Sequence, residues 1–216
     1  FNIIDEFDEF EEPKKGEISQ EITDLTSITN DMVKGKKIND EKVNEFISDA
    51  VIIIAHNANF DRQFVEKRFH VFKDIHWGCS LNDVSWTENG LKAKNLEYLA
   101  YIYGYYFEAH RASYDCRASV HLLAQKLPKS NELVLDNLLN TARKKTARIF
   151  AEKAPFDKKD QLKERGYKWN PDRKVWFIDS NESNMKDELT WLGENIYPDG
   201  KTDHLKPSIF GARKRY

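Results

Sequence analysis

Cysteine is almost absent, with only Cys79 and Cys116 in 216 residues. Two isolated thiols cannot build a disulfide framework or a zinc cluster. Both read as small buried residues of a reducing compartment, taken as the cytoplasm. No apolar run approaches the roughly 18 residues that a membrane-spanning helix needs, so no such span is expected. Strong net charge is missing as well. A formal charge of −2 says nothing by itself about partners, but its distribution is uneven. Residues 1–145 hold 19 Lys/Arg against 24 Asp/Glu, a net of −5, and residues 146–216 hold 15 against 12, a net of +3.

What is present is the material of packed globular structure. Hydrophobic residues make up 40% of the chain, with 13 Phe, 9 Tyr and 5 Trp, and the length suffices for one large or two small domains. The organisation expected is a domain over 1–145 and a smaller α+β accessory domain over 146–216.

Along the first part, residues 1–12 alternate apolar and acidic side chains and read as an exposed or edge strand, closed by a turn at Pro13 to Gly16. Caps and short apolar spacings predict brief helical turns between Ser19 and Val33. A helix over Asp40 to Ser48 is expected to turn Val43, Phe46 and Ile47 inward. The most apolar run, Ala50 to Ala55, is short, β-branched and bounded by polar residues, as in a buried strand. Phe60, Phe64, Val65 and Phe69 then recur at helical spacing and read as core. Ile75 to Leu81 predicts a strand, and Leu96 to Tyr106 a helix with Leu99, Ile102 and Tyr103 inward. A further helix opens near Ala112, its apolar face continuing through Gln125 to Leu127 before Pro128. Glu132 to Thr141 predicts the last helix of this part, followed by the basic run Arg143 to Lys145, a solvated helix end suited to the negative pole.

In the second part, strands are expected at Ala147 to Lys153 and Lys174 to Ile178. Helices are expected at Asp157 to Arg165, stopped by Gly166, and at Asn184 to Ile196. The run from Ala154 to Asn170 with Lys174-x-Trp176-Phe177 resembles a small accessory domain found beside bacterial DNA-processing enzymes. Tyr167, Trp169, Trp176 and Phe177 with Lys163, Lys168, Arg173 and Lys174 suit either a platform for single strands or, for some of the aromatics, the domain's own core. The tail from Gly211 to Tyr216 is basic and expected to be mobile.

Two stretches organise the chain: His56-Asn57-Ala58-Asn59-Phe60-Asp61-Arg62-Gln63-Phe64 and His110-Arg111-Ala112-Ser113-Tyr114-Asp115-Cys116-Arg117-Ala118. Asp61 lies just past a strand end, and His110 and Asp115 lie at a helix start, so the side chains can converge. Either aspartate alone also reads as a helix cap. The pair of full patterns, His-Asn-Ala-x-Phe-Asp-x-x-Phe and His-x-Ala-x-x-Asp-x-x-Ala about fifty residues apart, resembles the second and third motifs of the DnaQ-like 3′-5′ exonucleases. These form the DEDDh branch of the ribonuclease H-like superfamily. Glu21 to Val33 also looks like that family's stretch along the terminal nucleotide, and the likeness covers roughly residues 1 to 127.

One motif is missing. The family opens on an Asp-x-Glu, and Asp5-Glu6-Phe7 and Asp8-Glu9-Phe10 both fail at the third position. Phe1 to Phe10 looks instead like a later strand of the family's sheet, and the chain begins with Phe rather than Met. The opening strands with two metal-binding carboxylates are therefore expected upstream.

The resemblance implies a ribonuclease H-like α/β exonuclease domain, N-terminally truncated, that removes nucleotides from the 3′ end of DNA in proofreading or repair. It implies two divalent ions, Mg2+ or Mn2+, for which Asp61 and Asp115 supply two of four carboxylates, with His110 as general base. An acidic domain that borrows cations to meet phosphate fits this chemistry. Leu25 and Thr26 would contact the 3′-terminal base, or form a hydrophobic staple. His56, Asn57 and Phe60 would serve the substrate, and His56 and Asn57 read equally as buried hydrogen-bonding residues. Single-stranded or 3′-ended DNA is the partner expected, with RNA as the alternative, no membrane, and a homodimer or a polymerase as protein partner. The rival readings are an RNA-trimming exonuclease and a non-catalytic nucleic-acid-binding or docking module that keeps the fold.

Overall fold

Short helices held by side-chain caps begin the protein, whose computed structural model describes residues 2–216. Ser19 caps α1 (Gln20–Thr26) by accepting from the Ile22 N–H, and Thr29 caps α2 (Asn30–Val33) by accepting from Met32. Asn39 caps α3 (Asp40–Phe46) through the N–H groups of Glu41 and Lys42. Each cap satisfies donors that a helix of one or two turns cannot bond internally.

The segment ahead of them departs from expectation. Phe1 lies outside the described residues, and residues 2–12 form no strand. Their carboxylates take up the donors that a neighbouring strand would have offered. Glu9 accepts from the Asn39 N–H at 2.7 Å, Glu12 from the Gly35 N–H at 2.9 Å, and Glu11 from Arg68 at 2.7 Å.

β1 (Ile52–Ala55), α4 (Ala58–Arg68) and β2 (His76–Cys79) form the centre of this unit. The strands are parallel, from Ile52 opposite His76 to Ala55 opposite Cys79, and α4 packs on both. β1 is half-buried rather than buried, because it has one strand partner among the described residues. The helix period explains a second correction. Ala58, Arg62, Val65 and Phe69 fall on the sheet side of α4, so Phe60 and Phe64, expected in the core, lie exposed on the other side with their rings 4.9 Å apart. Phe46 is likewise exposed against Phe7. The core contains Val43, Ile47, Ala58, Phe72, Trp77 and Cys79.

α5 (Leu96–Ile102) ends before Tyr106 because Gly104, at φ +73°, closes it in the left-handed conformation. Ile102 is exposed. α6 (Ala112–Leu123) stops short of Gln125, beyond which Lys126 bridges to Leu133. α7 (Val134–Ala142) buries Val134 and Leu138 completely. It lies so close to β2 that a Cβ built on Gly78 would meet Leu138 Cδ2 at 2.8 Å.

The chain divides into two compact units, one reaching Thr141 and including Tyr216, the other Ala142–Arg215. The second unit contains β3 (Thr146–Phe150), α8 (Lys159–Arg165), β4 (Lys168–Asn170), β5 (Val175–Asn181), α9 (Met185–Asn195) and β6 (Ser208–Phe210). The sheet is antiparallel in the order β4-β5-β3-β6. α8 and α9 bring Leu162, Leu192 and Ile196 against Ile149 and Ala151.

Strands β4 and β6, three residues each, were not expected. Nor were the aromatics expected to separate. Tyr167 is buried, Trp176 packs on the core with Trp169 against it, and Phe177 points to the opposite face. The tail is held, since Ala212 is buried and Arg215 donates to Thr146 Oγ1 at 2.8 Å and to the carbonyls of Ala142 and Lys144.

Candidate active site

Two left-handed residues aim the two motifs. After β1 the chain turns through Asn57, at φ +76° and ψ +50°, and enters α4, with Asp61 in its first turn. His110, at φ +70°, precedes α6 in the same way, and Asp115 lies in the first turn of that helix. A non-glycine residue in this region costs about 1–3 kcal/mol and persists where its surroundings hold it. Both carboxylates therefore stand at helix N-termini, where the helix dipole favours negative charge.

The charge at the start of α6 is felt at the start of α4. Burial pushes the Asp61 carboxyl above the ordinary carboxylate range, its own backbone N–H lowers it, and the charge of Asp115 raises it again. Asp115 is raised too, mainly by burial. The backbone and charge of His110 draw it down and the charge of Glu97 pushes it up. The arrangement is thus a pair of partly desolvated carboxylates, one in the other's field, whose partly answered negative charge a hard cation would neutralise. No group of three or more His, Cys, Asp or Glu side chains suited to a metal is present among the described residues. Asp61 and Asp115 are the pair that would hold one.

His110 stands half-exposed at the rim, its Nε2 4.0 Å from Glu97 Oε1. Glu97, in the first turn of α5, is the functional candidate that sequence reasoning missed. Its carboxyl lies below the usual range because of its own backbone N–H, with Asn95, His110 and His56 adding to the effect. The signal available was an acid at the start of a predicted helix, which ordinary dipole compensation explains equally well.

His56 is not free to meet a substrate. Its Nε2 lies 2.8 Å from the Lys94 carbonyl and its Nδ1 2.9 Å from Ser80 Oγ. A carbonyl can only accept, so Nε2 carries the proton, and the neutral ring accepts from Ser80 at Nδ1. Burial holds its pKa below the usual value. His56 therefore ties the end of β1 to the loop that leads into α5. Asn57 supplies backbone shape and makes no side-chain cap.

Phe60 offers an exposed ring. On α1, Leu25 is exposed, and the Thr26 hydroxyl bonds to the Ile22 carbonyl at 2.7 Å and to the Ile28 N–H at 3.2 Å. A cavity of about 250 Å³ opens at the start of α6, lined by Ile18, Ile28, Val33, Arg111, Ala112 and Ser113 with acidic residues of the opening segment. Arg117 holds Glu6 of that segment in a two-pronged ion pair at 2.6 and 3.2 Å. Cys116, expected to be buried, is exposed beside Asp115, because it follows Asp115 on the outward side of α6.

A family model described as an exonuclease, RNase_T, matches residues 1–123. The "DNA polymerase III PolC-type" protein of Staphylococcus epidermidis is 33% identical over 155 residues, 67% of this chain and 10% of that protein. Its namesakes from Staphylococcus haemolyticus and Staphylococcus aureus are 32% and 33% identical over 146 and 142 residues, 62% and 61% of this chain and again 10% of theirs. The chain thus spans about a tenth of the length of the curated relatives it matches. No solved structure matches it significantly. Among the described residues, no helix is long and apolar enough to cross a membrane.

Proposed function

The chain belongs to the RNase_T exonuclease family, part of the DnaQ-like, ribonuclease H-like group, and from that premise we propose that its site removes nucleotides one at a time from the 3′ end of DNA. The observation that carries this reading is the placing of Asp61 and Asp115 in the first turns of two helices that are each entered near a left-handed residue, Asn57 and His110, with the charge of Asp115 felt at Asp61. Local backbone N–H groups answer part of each charge, and burial still holds both carboxyls above the usual range.

In the proposed mechanism Asp61 and Asp115 hold divalent ions, Mg2+ or Mn2+, whose chemistry when bound is to stabilise charge on the attacked phosphate and the leaving oxygen. His110 takes the proton of the attacking water, a task suited to an imidazole whose side chain is reached by solvent. Glu97 then favours the imidazolium across 4.0 Å. Leu25 and Phe60 offer exposed apolar surface to the terminal nucleotide, beside a half-buried Thr26.

A DNA substrate and a polymerase partner, in the cytoplasm, accord with relatives named as DNA polymerases. A homodimer is the other protein partnership the family resemblance brings. A second reading, a binding or docking module without catalysis, is favoured by one observation: no third ligand joins the carboxylate pair among the described residues.

The deciding experiment is digestion of 5′-labelled single-stranded DNA with Mn2+, with the His110→Ala variant and an RNA strand alongside. The expected result is a ladder shortened stepwise from the 3′ end, reduced at least a hundredfold by His110→Ala. Full digestion by that variant would overturn the role of His110. DNA bound but never shortened would favour the second reading.

A further inference from the structure

The sheet of the second unit has two unlike faces. Ala147, Ile149, Trp176 and Ile178 point to α8 and α9 and join the core. By the strict alternation of a strand, Arg148, Phe150, Phe177 and Asp179 point the other way. The register places Phe150 directly opposite Phe177, Arg148 opposite Asp179 and Lys168 opposite Phe177. The tail after Ala212 is held at the Thr146 end of that face through Arg215, and at the other end the Phe150 and Phe177 rings, 6.0 Å apart, are half-exposed.

Cations accompany these rings. The Arg173 guanidinium lies 3.9 Å over the Phe150 ring, and that of Arg148 lies 4.9 Å from Phe177 and 5.3 Å from Phe210. Glu152 and Asp179 hold the two guanidinium groups, at 3.2 and 2.7 Å. Lys168 makes no ion pair among the described residues, and Lys174 is exposed at the tip of the β4–β5 turn. Beside the two rings stand Arg148, Lys168 and Arg173 against Glu152 and Asp179, an excess of one positive charge, and Lys174 shares the β4–β5 turn with Asp172.

We propose that this face binds single-stranded DNA, with bases stacked on the layer that Phe150, Phe177 and the guanidinium planes of Arg173 and Arg148 over them form, and phosphates met by Lys168 and Lys174. Paired aromatic rings on a half-exposed sheet face, flanked by cations, are what an unpaired strand needs: π-faces for the bases and charge for the backbone. A second protein would gain little from a small face so rich in cations. A duplex hides its bases and could use only the charges. The site is separate from the carboxylate pair; only the choice of DNA over RNA rests on the reading above.

The test is fluorescence anisotropy of a labelled oligo-dT with the full 216-residue chain in EDTA, so that binding is read without turnover. The Phe150→Leu/Phe177→Leu variant keeps apolar bulk and removes the stacking rings, and should lose at least tenfold in affinity. The exposed-site variant Lys168→Glu should lose at least threefold, so the proposal stays testable even if the double variant fails to fold. The proposal is overturned by no binding at all, by unchanged affinity in either Phe150→Leu/Phe177→Leu or Lys168→Glu, by duplex competing as well as single strand, or by tighter binding of oligo-U. Because no step requires cleavage, failure here and failure of the exonuclease reading are read separately.

Discussion

Each unit of the protein partly buries carboxylates, and the two treat them in opposite ways. In the second unit Glu188 is only 6% exposed, and every part of it is answered. Arg165 donates to one oxygen at 3.0 Å and the Tyr167 hydroxyl to the other at 3.0 Å, while Trp191 lies under the guanidinium. Tyr167 is pushed far above its ordinary pKa, by burial and by that same carboxylate, and so stays a donor. In the first unit Asp61 and Asp115 are answered by backbone N–H groups, and Asp115 also by the charge of His110, but neither forms an ion pair with Lys or Arg among the described residues, and both are raised. A buried acid that has been given its partners supports the fold. One left short of them awaits a partner from outside, at some cost in stability.

The comparison can be broken most visibly at Asp115. Asp115→Asn keeps the shape of the side chain and removes its charge, and should lower nuclease turnover by a hundredfold or more, with Mn2+ binding by calorimetry weakened in parallel. Activity retained at wild-type level would mean that the pair is not the reacting centre. Next in size is Glu188→Ala, which leaves a buried tyrosine hydroxyl and a guanidinium without their acceptor. It should destabilise the second unit by roughly 3 kcal/mol in denaturant unfolding, and a loss below about 1 kcal/mol would contradict the structural role.

The smallest effect has the opposite sign. Asp61→Asn should stabilise the protein by about 1 kcal/mol at pH 7. The folded pKa of Asp61 lies above the ordinary 3.8, so ionisation costs folded-state stability. That cost is complete above the folded pKa and vanishes as pH falls to 3.8 and below. The advantage of the variant should therefore shrink on acidification; an advantage that grew would show the carboxylate to be compensated after all.

Much of this contrast was legible in the residues, but unevenly. Asp61, His110 and Asp115 stood out through the two full patterns that resemble the family's motifs, since by local chemistry alone either aspartate reads as a helix cap. Helices with caps, such as that begun by Ser19, were legible from local chemistry. Glu97 was not, because its meaning lies in reaching His110 and Asp115 from another helix. Phe60 and Phe64 were misplaced because the four apolar residues of that stretch span two helix faces, and only the sheet decides which face is inside. The opening residues alternate like a strand, yet their acids bond to backbone N–H groups instead. Of the aromatic and basic platform read in the second unit, Phe177, Lys168, Arg173 and Lys174 were legible, while Phe150 and Arg148 were not, because only the register of β3 on β5 sets them opposite Phe177 and Asp179.

Gly78 has a reach beyond its own strand. Leu138 rests where its side chain would be, and its neighbour Asn137 holds the backbone N–H of Ser85 through Oδ1 at 3.0 Å. Ser85 belongs to the loop that runs on to Lys94, whose carbonyl grips His56. The missing Cβ thus acts as a spacing gauge in a mechanical train of helix, loop and imidazole. A methyl group added at Gly78 would shift the first member of that train and be felt at its last, beside Asp61, without touching any residue of the site.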